Sequence, residues 1–258
     1  MDISTNMAPQ VLTGKIALVT GAGQGNGRAI ALGLARAGAR VVITDINAQS
    51  VADVEAEIRA AGGEASSYVL DVTSVAACTA LAGQVGRDVG QVDVLVNNAG
   101  ILIREGIDSP NAASNLQRMM DVNLNGTFHV THAWLPALRA TRGNIINVAS
   151  IAAFAGQPGS VGYAPSKGAV KLLTQSLAVE LAKDGIRVNA IAPGVIETAM
   201  TVATRGTPAS LHKFMLRTPM ERVGQAEELV GPVVFLASEM ASYVTGVTLP
   251  VDGGFLAS

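Results

Sequence analysis

Short apolar runs recur along the chain, at 15–20 (KIALVT), 40–44 (RVVIT), 67–70 (SYVL), 93–97 (DVLVN), 144–150 (NIINVAS) and 187–192 (RVNAIA). None alternates cleanly between apolar and polar residues, and such continuous apolarity is the pattern of strands buried on both faces. The intervals at 25–38, 47–61, 74–89, about 111–140, 161–183 and 225–237 carry helical patterns. Strands alternating with helices predict a parallel sheet covered on both faces. The right-handed crossover rule then makes a Rossmann-type, doubly wound α/β sheet the simplest arrangement. No linker, repeat or low-complexity stretch divides the pattern, so 12–258 reads as one domain and 1–11 as a flexible N-terminal extension. One interval breaks the rhythm: 198–222 contains Pro208, Pro219 and no strand. It follows a strand's carboxyl end, where ligands bind in such folds, and reads as a substrate lid.

The chain has 258 residues, 49% of them hydrophobic and 15% charged, enough to bury a large core. A net charge of -2 provides no clustered basic footprint for nucleic acid or an anionic membrane. No apolar run approaches the ~18 residues of a membrane span. The opening MDISTNMAPQ lacks the basic and apolar regions of a signal peptide. The single cysteine, Cys78, excludes an internal disulfide and fits a reducing compartment, so a cytoplasmic location is the default expectation.

Candidate chemistry begins where KIALVT runs into Gly21-Ala22-Gly23-Gln24-Gly25-Asn26-Gly27 and then into a helical stretch. Glycines there let the backbone approach a pyrophosphate, while the helix N-terminus supplies N–H donors and a favourable dipole. The placement after the first strand and before the first helix is what a dinucleotide fingerprint requires. Asp45, at the end of the second run, can accept from both adenosine ribose hydroxyls and would repel a 2′-phosphate. No Arg or Lys follows in DINAQS, so NAD is expected in preference to NADP. Asp45 can also serve as a helix N-cap. Asp71 and Val72 are placed to reach the adenine; alternatively Asp71 caps the helix starting near Ser74.

In its motifs the chain resembles the classical short-chain dehydrogenase/reductase family. Thr20-Gly21 through Gly25-Asn26-Gly27 is similar to its TGxxxGxG, Asn97-Asn98-Ala99-Gly100 to its NNAG, and Pro193-Gly194 with Thr198 to its PG-x3-T. Asn123, Ser150, Tyr163 and Lys167 match its catalytic tetrad in order and spacing. The resemblance runs from about Thr13 to Phe255 and implies hydride transfer between a nicotinamide cofactor and an alcohol or ketone. It further implies cofactor contacts from Gly21, Gln24, Gly25, Asn26, Gly27, Asn98, Ala99, Gly100, Pro193, Gly194, Val195, Ile196 and Thr198. The chain departs from the family at Asn26, where an aliphatic residue is usual, and at Pro165. A proline is tolerated only in a helix's first turn, so that helix must begin near Gly162 or Tyr163.

Tyr163 and Lys167, four residues apart, share a helix face. A free tyrosine titrates near ~10, too high for a base at neutral pH, and a neighbouring ammonium is expected to pull it down. Tyr163 then takes the alcohol proton or returns one to the ketone. Ser150, at a strand end, can hold the substrate oxygen. By resemblance, Lys167 also hydrogen-bonds the nicotinamide ribose, and Asn123 orders a water that links Lys167 to solvent. Ser150, Ala152, Gln157, Tyr163, Met200 and Phe214 are the expected substrate contacts, with Ile101, Leu102, Phe154 and Leu211 nearby. This mostly apolar set suggests a ketone or cyclic alcohol more than a sugar. His129 and His132 share a helix face without a third ligand at zinc spacing, so no metal is expected. Two apolar helices, 111–140 and 161–183, point with the resemblance to a homotetramer or, failing that, a dimer. The alternatives are a 3-oxoacyl-carrier-protein reductase, which typically uses NADPH, and a non-catalytic dinucleotide-binding regulator.

Overall fold

A computed structural model describes residues 10–157, 159–206 and 208–258; most of the expected extension, 1–9, lies outside them. Strands β1 (Ile16–Thr20), β2 (Arg40–Asp45), β3 (Ala65–Val69), β4 (Val94–Asn97), β5 (Asn144–Val148), β6 (Arg187–Pro193) and β7 (Thr248–Val251) form one sheet. All pairs are parallel, in the order β3-β2-β1-β4-β5-β6-β7. The order reverses between β1 and β4, the switch point at whose carboxyl edge such sheets bind ligands.

Alternate residues of each central strand point to opposite layers. Ala17 and Val19 of β1 and Val41 and Ile43 of β2 pack with Ile30 and Leu34 of α1 (Gly25–Arg36), Val51 and Val54 of α2 (Ala48–Ala60) and Leu236. Leu18, Val42 and Leu95 pack instead with Leu81 and Val85 of α3 (Val75–Asp88) and with Trp134 and Leu138. This two-sided burial is the reason the strands read as continuous apolar runs.

The structure departs from the sequence pattern in two places that matter. First, β7 was not expected: TLPV is four residues long and contains Pro250. A proline is confined to sheet edges, and β7 is the edge strand beside β6. Second, the helix expected over 111–140 is interrupted. The chain runs from α4 (Ala112–Met120) through one π-helical turn at Asp121–Asn125 into α5 (Gly126–Thr141). π-turns inside helices mark functional sites in many folds, and this one contains Asn123. The helix carrying Pro165 does begin at Tyr163, as α6 (Tyr163–Leu181).

The interval 198–222 holds α7 (Val202–Arg205) and α8 (Pro208–Met215), preceded by a 3-10 turn at Ala199–Thr201. It is followed by a 3-10 turn at Ala226–Leu229 and α9 (Val230–Ala237). Among the described residues no helix is long and apolar enough to cross a membrane.

Candidate active site

The glycine loop is a tightly stitched seam between β1 and the loop after β4. Thr20 Oγ1 accepts the backbone N–H groups of Asn98 and Ala99, each at 3.1 Å. The Asn98 amide donates back to the carbonyls of Thr20 (3.0 Å) and Gly21 (2.9 Å). A Cβ on Gly27 would lie 2.1 Å from the Gly21 oxygen, and one on Gly21 (φ +60°) would lie 2.8 Å from Ala99 Cα. Only glycine allows these three backbones to meet, and the seam leaves the N-terminus of α1 open to a ligand.

That opening faces a cleft of ≈ 820 Å³. Its walls include Gly21, Gln24, Gly25, Asn26, Gly27, Asp45, Asp71, Val72, Asn98, Ala99 and Gly100. They continue through Ser150, Tyr163, Lys167, Pro193, Gly194, Ile196, Thr198 and Met200. A groove of this size, floored by side-chain-free backbone, fits an extended dinucleotide. Asp45 holds its own end of the groove. Its Oδ2 accepts from Gly23 N (3.1 Å) and its Oδ1 from Asn47 N (3.1 Å). The N-cap of α2 is Asn47, not Asp45. Likewise Ser74 caps α3, while Asp71 turns inward on Thr73, accepting its N–H and hydroxyl.

At the other end, Ser150 leaves β5 in an extended conformation and caps the following 3-10 turn, its Oγ accepting from Ala152 N at 3.1 Å. The same hydroxyl favours the ionised form of the Tyr163 phenol. Lys167 is buried, its Nζ donating to the Val148 carbonyl at 2.7 Å and lying 6.0 Å from the Tyr163 ring centre. Asn123 lies fully buried behind this wall. Its Oδ1 accepts from Ile101 N (2.8 Å), and its Nδ2 donates to the Ile101 carbonyl (3.0 Å) and to Ser166 Oγ (2.9 Å). The amide thereby clamps the loop after β4 onto α6, so the π-turn serves to aim a positioning group.

The expected electrostatics of Tyr163 need correction. Burial is the dominant influence and pushes the phenol above its ordinary value, opposed by the Ser150 hydroxyl and the Arg104 guanidinium. The Lys167 ammonium does not pull it down in this state, because Nζ is itself buried and turned to a backbone carbonyl. Burial lowers Lys167 from 10.5 to about 8. Between these values the unfolded chain holds a proton that the folded protein has released, so this group's contribution to stability improves as pH rises. We expect the unfolding free energy of wild type minus that of Lys167→Met, without ligands, to climb between pH 8 and 10.5 and to flatten on either side. A difference independent of pH in chemical denaturation would show that the ammonium is not desolvated.

Some expected contacts lie elsewhere. Phe214 packs against the Phe255 ring, 6.1 Å between centres, away from the cleft. Val195 lines a separate cavity of ≈ 190 Å³. Ala152 is buried beneath Ser150, and Gln157 is not among the cleft-lining residues. His132 stacks on Phe128, and His129 Nδ1 meets the Val72 carbonyl at 3.2 Å. Arg104 went unnoticed in the sequence, being a single cation in LIRE with no motif around it. It donates to Thr204 Oγ1 on α7 at 2.6 Å, and none of the ion pairs among the described residues involves it.

Comparison with known proteins agrees with this geometry. The family model described as enoyl-(acyl carrier protein) reductase matches residues 21–256. Gluconate 5-dehydrogenase of Gluconobacter oxydans is 39% identical over 248 residues, 96% of each chain. The 3-oxoacyl-[acyl-carrier-protein] reductase FabG of Thermotoga maritima is 38% identical over 247 residues, 95% of this chain and 99% of the other. A gluconate 5-dehydrogenase from Burkholderia cenocepacia, solved with NADP and tartrate, superposes with a TM-score of 0.92 at 38% identity, covering 98% of this chain and 99% of that one. The fold and site define a nicotinamide-dependent oxidoreductase of the Rossmann type. The chain belongs to the short-chain dehydrogenase/reductase family.

Proposed function

We propose that this protein interconverts a secondary alcohol and a ketone by hydride transfer with NAD(H), on a substrate that carries a carboxylate. The observation that carries the reading is the meeting of Ser150, Tyr163 and Lys167 at one end of a cleft whose remaining floor is the glycine loop and Asp45. Bound there, the dinucleotide supplies the hydride acceptor for oxidation and the donor for reduction. The chain's own groups do the rest. Ser150 holds the reacting oxygen and Tyr163 exchanges the proton with it. Lys167 binds the nicotinamide-side ribose, and Asn123 fixes the loop and helix that carry these groups. In the cofactor-free protein the raised phenol is a proton donor, which suits protonation of a reduced ketone oxygen. Alkoxide-forming oxidation needs added positive charge beside it.

Asp45 supports NAD, because its carboxylate lines the groove and would repel a 2′-phosphate, and 46–50 contains no basic residue. The Burkholderia relative, by contrast, was solved with NADP.

Arg104 supports the carboxylate. Its charge acts on the Tyr163 phenol, and it is free of ion pairs among the described residues. A guanidinium whose charge reaches the phenol, and which no carboxylate among the described residues neutralises, favours an anionic partner, and relatives named for gluconate point the same way. This departs from the ketone or cyclic alcohol that the apolar contacts suggested. Arg104→Gln is expected to raise KM for gluconate about ten- to a hundredfold, the worth of one charge-assisted hydrogen bond, while sparing a neutral secondary alcohol. Equal losses on both substrates would remove the carboxylate from the reading. The Arg104–Thr204 bond also ties the site to the lid at 198–222. Hydrogen exchange there should slow when cofactor and acid bind together.

A homotetramer is part of the proposal. Leu172 and Val179 on α6 are 62% and 80% exposed, and Phe128 on α5 is 47% exposed. Apolar side chains standing out of the two helices named above favour a symmetric helical interface. A monomeric mass by light scattering at micromolar concentration would contradict it.

A further inference from the structure

Four buried polar side chains stand where the rest of the sheet–helix layer is apolar. Asn97 and Asn147 are partners in register on β4 and β5, and both are buried. Asn97 Nδ2 donates to Asn147 Oδ1 (2.9 Å) and to Thr131 Oγ1 on α5 (3.0 Å). Asn147 Nδ2 donates in turn to Thr174 Oγ1 on α6 at 2.9 Å. Around this ladder the same layer is built from Leu95, Ile145, Trp134 and Leu138. Asn97 Oδ1 is left without a partner. A buried amide–hydroxyl ladder contributes little net stability beside apolar groups of the same shape, so stability does not account for it.

What a hydrogen bond adds is direction. Apolar contact is non-directional, and a helix held on a sheet by apolar side chains alone has several positions of similar energy. A donor and an acceptor 2.9 Å apart select one of them. The ladder crosses the elements just behind the cleft. Asn97 directly precedes Asn98-Ala99-Gly100, and Asn147 lies three residues before Ser150. Thr131 is tied back to the π-turn: its Oγ1 donates to Thr127 O, and Thr127 Oγ1 to Asn123 O, each at 2.8 Å. Thr174 lies about two turns past Lys167 on the same face of α6.

We propose that Thr174 is a positioning residue: through Asn147 and Asn97 its hydroxyl fixes α6 in register on β4 and β5, and so sets how Tyr163 and Lys167 meet Ser150. This rests on the alcohol–ketone reading above.

The test compares wild type with Thr174→Val, Thr174→Ser and the double variant Asn147→Leu/Thr174→Val. It measures kcat with NAD+ and gluconate or a neutral secondary alcohol, the dissociation constant of NAD+, and the melting temperature. Thr174→Val keeps the shape and loses the hydroxyl; its kcat is expected to fall about tenfold, part of the hundredfold that a misplacement of about 1 Å can cost. Thr174→Ser keeps the hydroxyl and is expected to hold kcat near wild type, although the lost methyl lowers its melting temperature. The double variant removes the stranded amide donor as well, and is expected to recover melting temperature but not kcat. NAD+ affinity is expected to hold throughout, since the glycine loop and Asp45 lie outside the ladder. A merely structural role would make kcat follow melting temperature across the variants, and that pattern would overturn the proposal, as would wild-type kcat in Thr174→Val. If wild type turned over no alcohol, the alcohol–ketone reading would fall, and this inference with it.

Discussion

Tyr163→Phe is expected to bind the dinucleotide with wild-type affinity and to turn over at least about a hundredfold more slowly, the usual contribution of a positioned acid–base group. The substitution removes one hydroxyl and leaves the ring in its place on α6, four residues before Lys167, so the cleft keeps its shape. Ser150 keeps its bond from Ala152 N, so the strand end stays in position. What disappears is the proton exchange. A fall in kcat with an unchanged dissociation constant for the dinucleotide, in a variant with the wild-type melting temperature, is the expected pattern. Comparable losses in both quantities would place Tyr163 in binding rather than chemistry.

The second large effect concerns the adenosine end. Asp45 makes two backbone hydrogen bonds, to Gly23 and Asn47, in addition to its charge. Asp45→Asn keeps one acceptor oxygen and removes the charge, so it separates repulsion of a 2′-phosphate from support of the glycine loop. Combined with Ile46→Arg it adds an attraction. Ile46 is 73% exposed, so a guanidinium there meets no packing penalty. Juxtaposed like charges cost several kcal/mol, and the preference for NAD over NADP is expected to fall by about a hundredfold or more in the double variant. Competitive binding measurements decide it. If the wild-type protein binds NADPH as tightly as NADH, Asp45 does not select the cofactor.

How much of this was legible in the residues follows from what each feature depends on. Strands β1 to β6 were visible because burial on both faces demands unbroken apolar runs. The glycine loop was visible because three backbones converge on a spot where a Cβ has no room. The catalytic set was visible because Tyr163 and Lys167 are held at a fixed spacing by one helix. β7 was hidden because an edge strand tolerates Pro250 and need not be apolar throughout. The π-turn at Asp121–Asn125 was hidden because one extra residue per turn barely changes helical periodicity, yet it is what buries Asn123. Phe214 was misplaced because its apolarity was satisfied by Phe255, a partner distant in sequence. Arg104 and the raised Tyr163 phenol depend on tertiary proximity and desolvation, which no local pattern encodes.

The central claim is hydride transfer, and following reduced nicotinamide by its absorbance tests it most directly. The purified protein is offered NAD+ with gluconate and neutral secondary alcohols, and NADH with the corresponding ketones and a 3-oxoacyl thioester. Cofactor turnover is expected, strongest with the hydroxy acid and at least about a hundredfold slower in Tyr163→Phe. Tight binding of the dinucleotide, with no change in its oxidation state under any of these conditions, would contradict it and leave a binding protein instead.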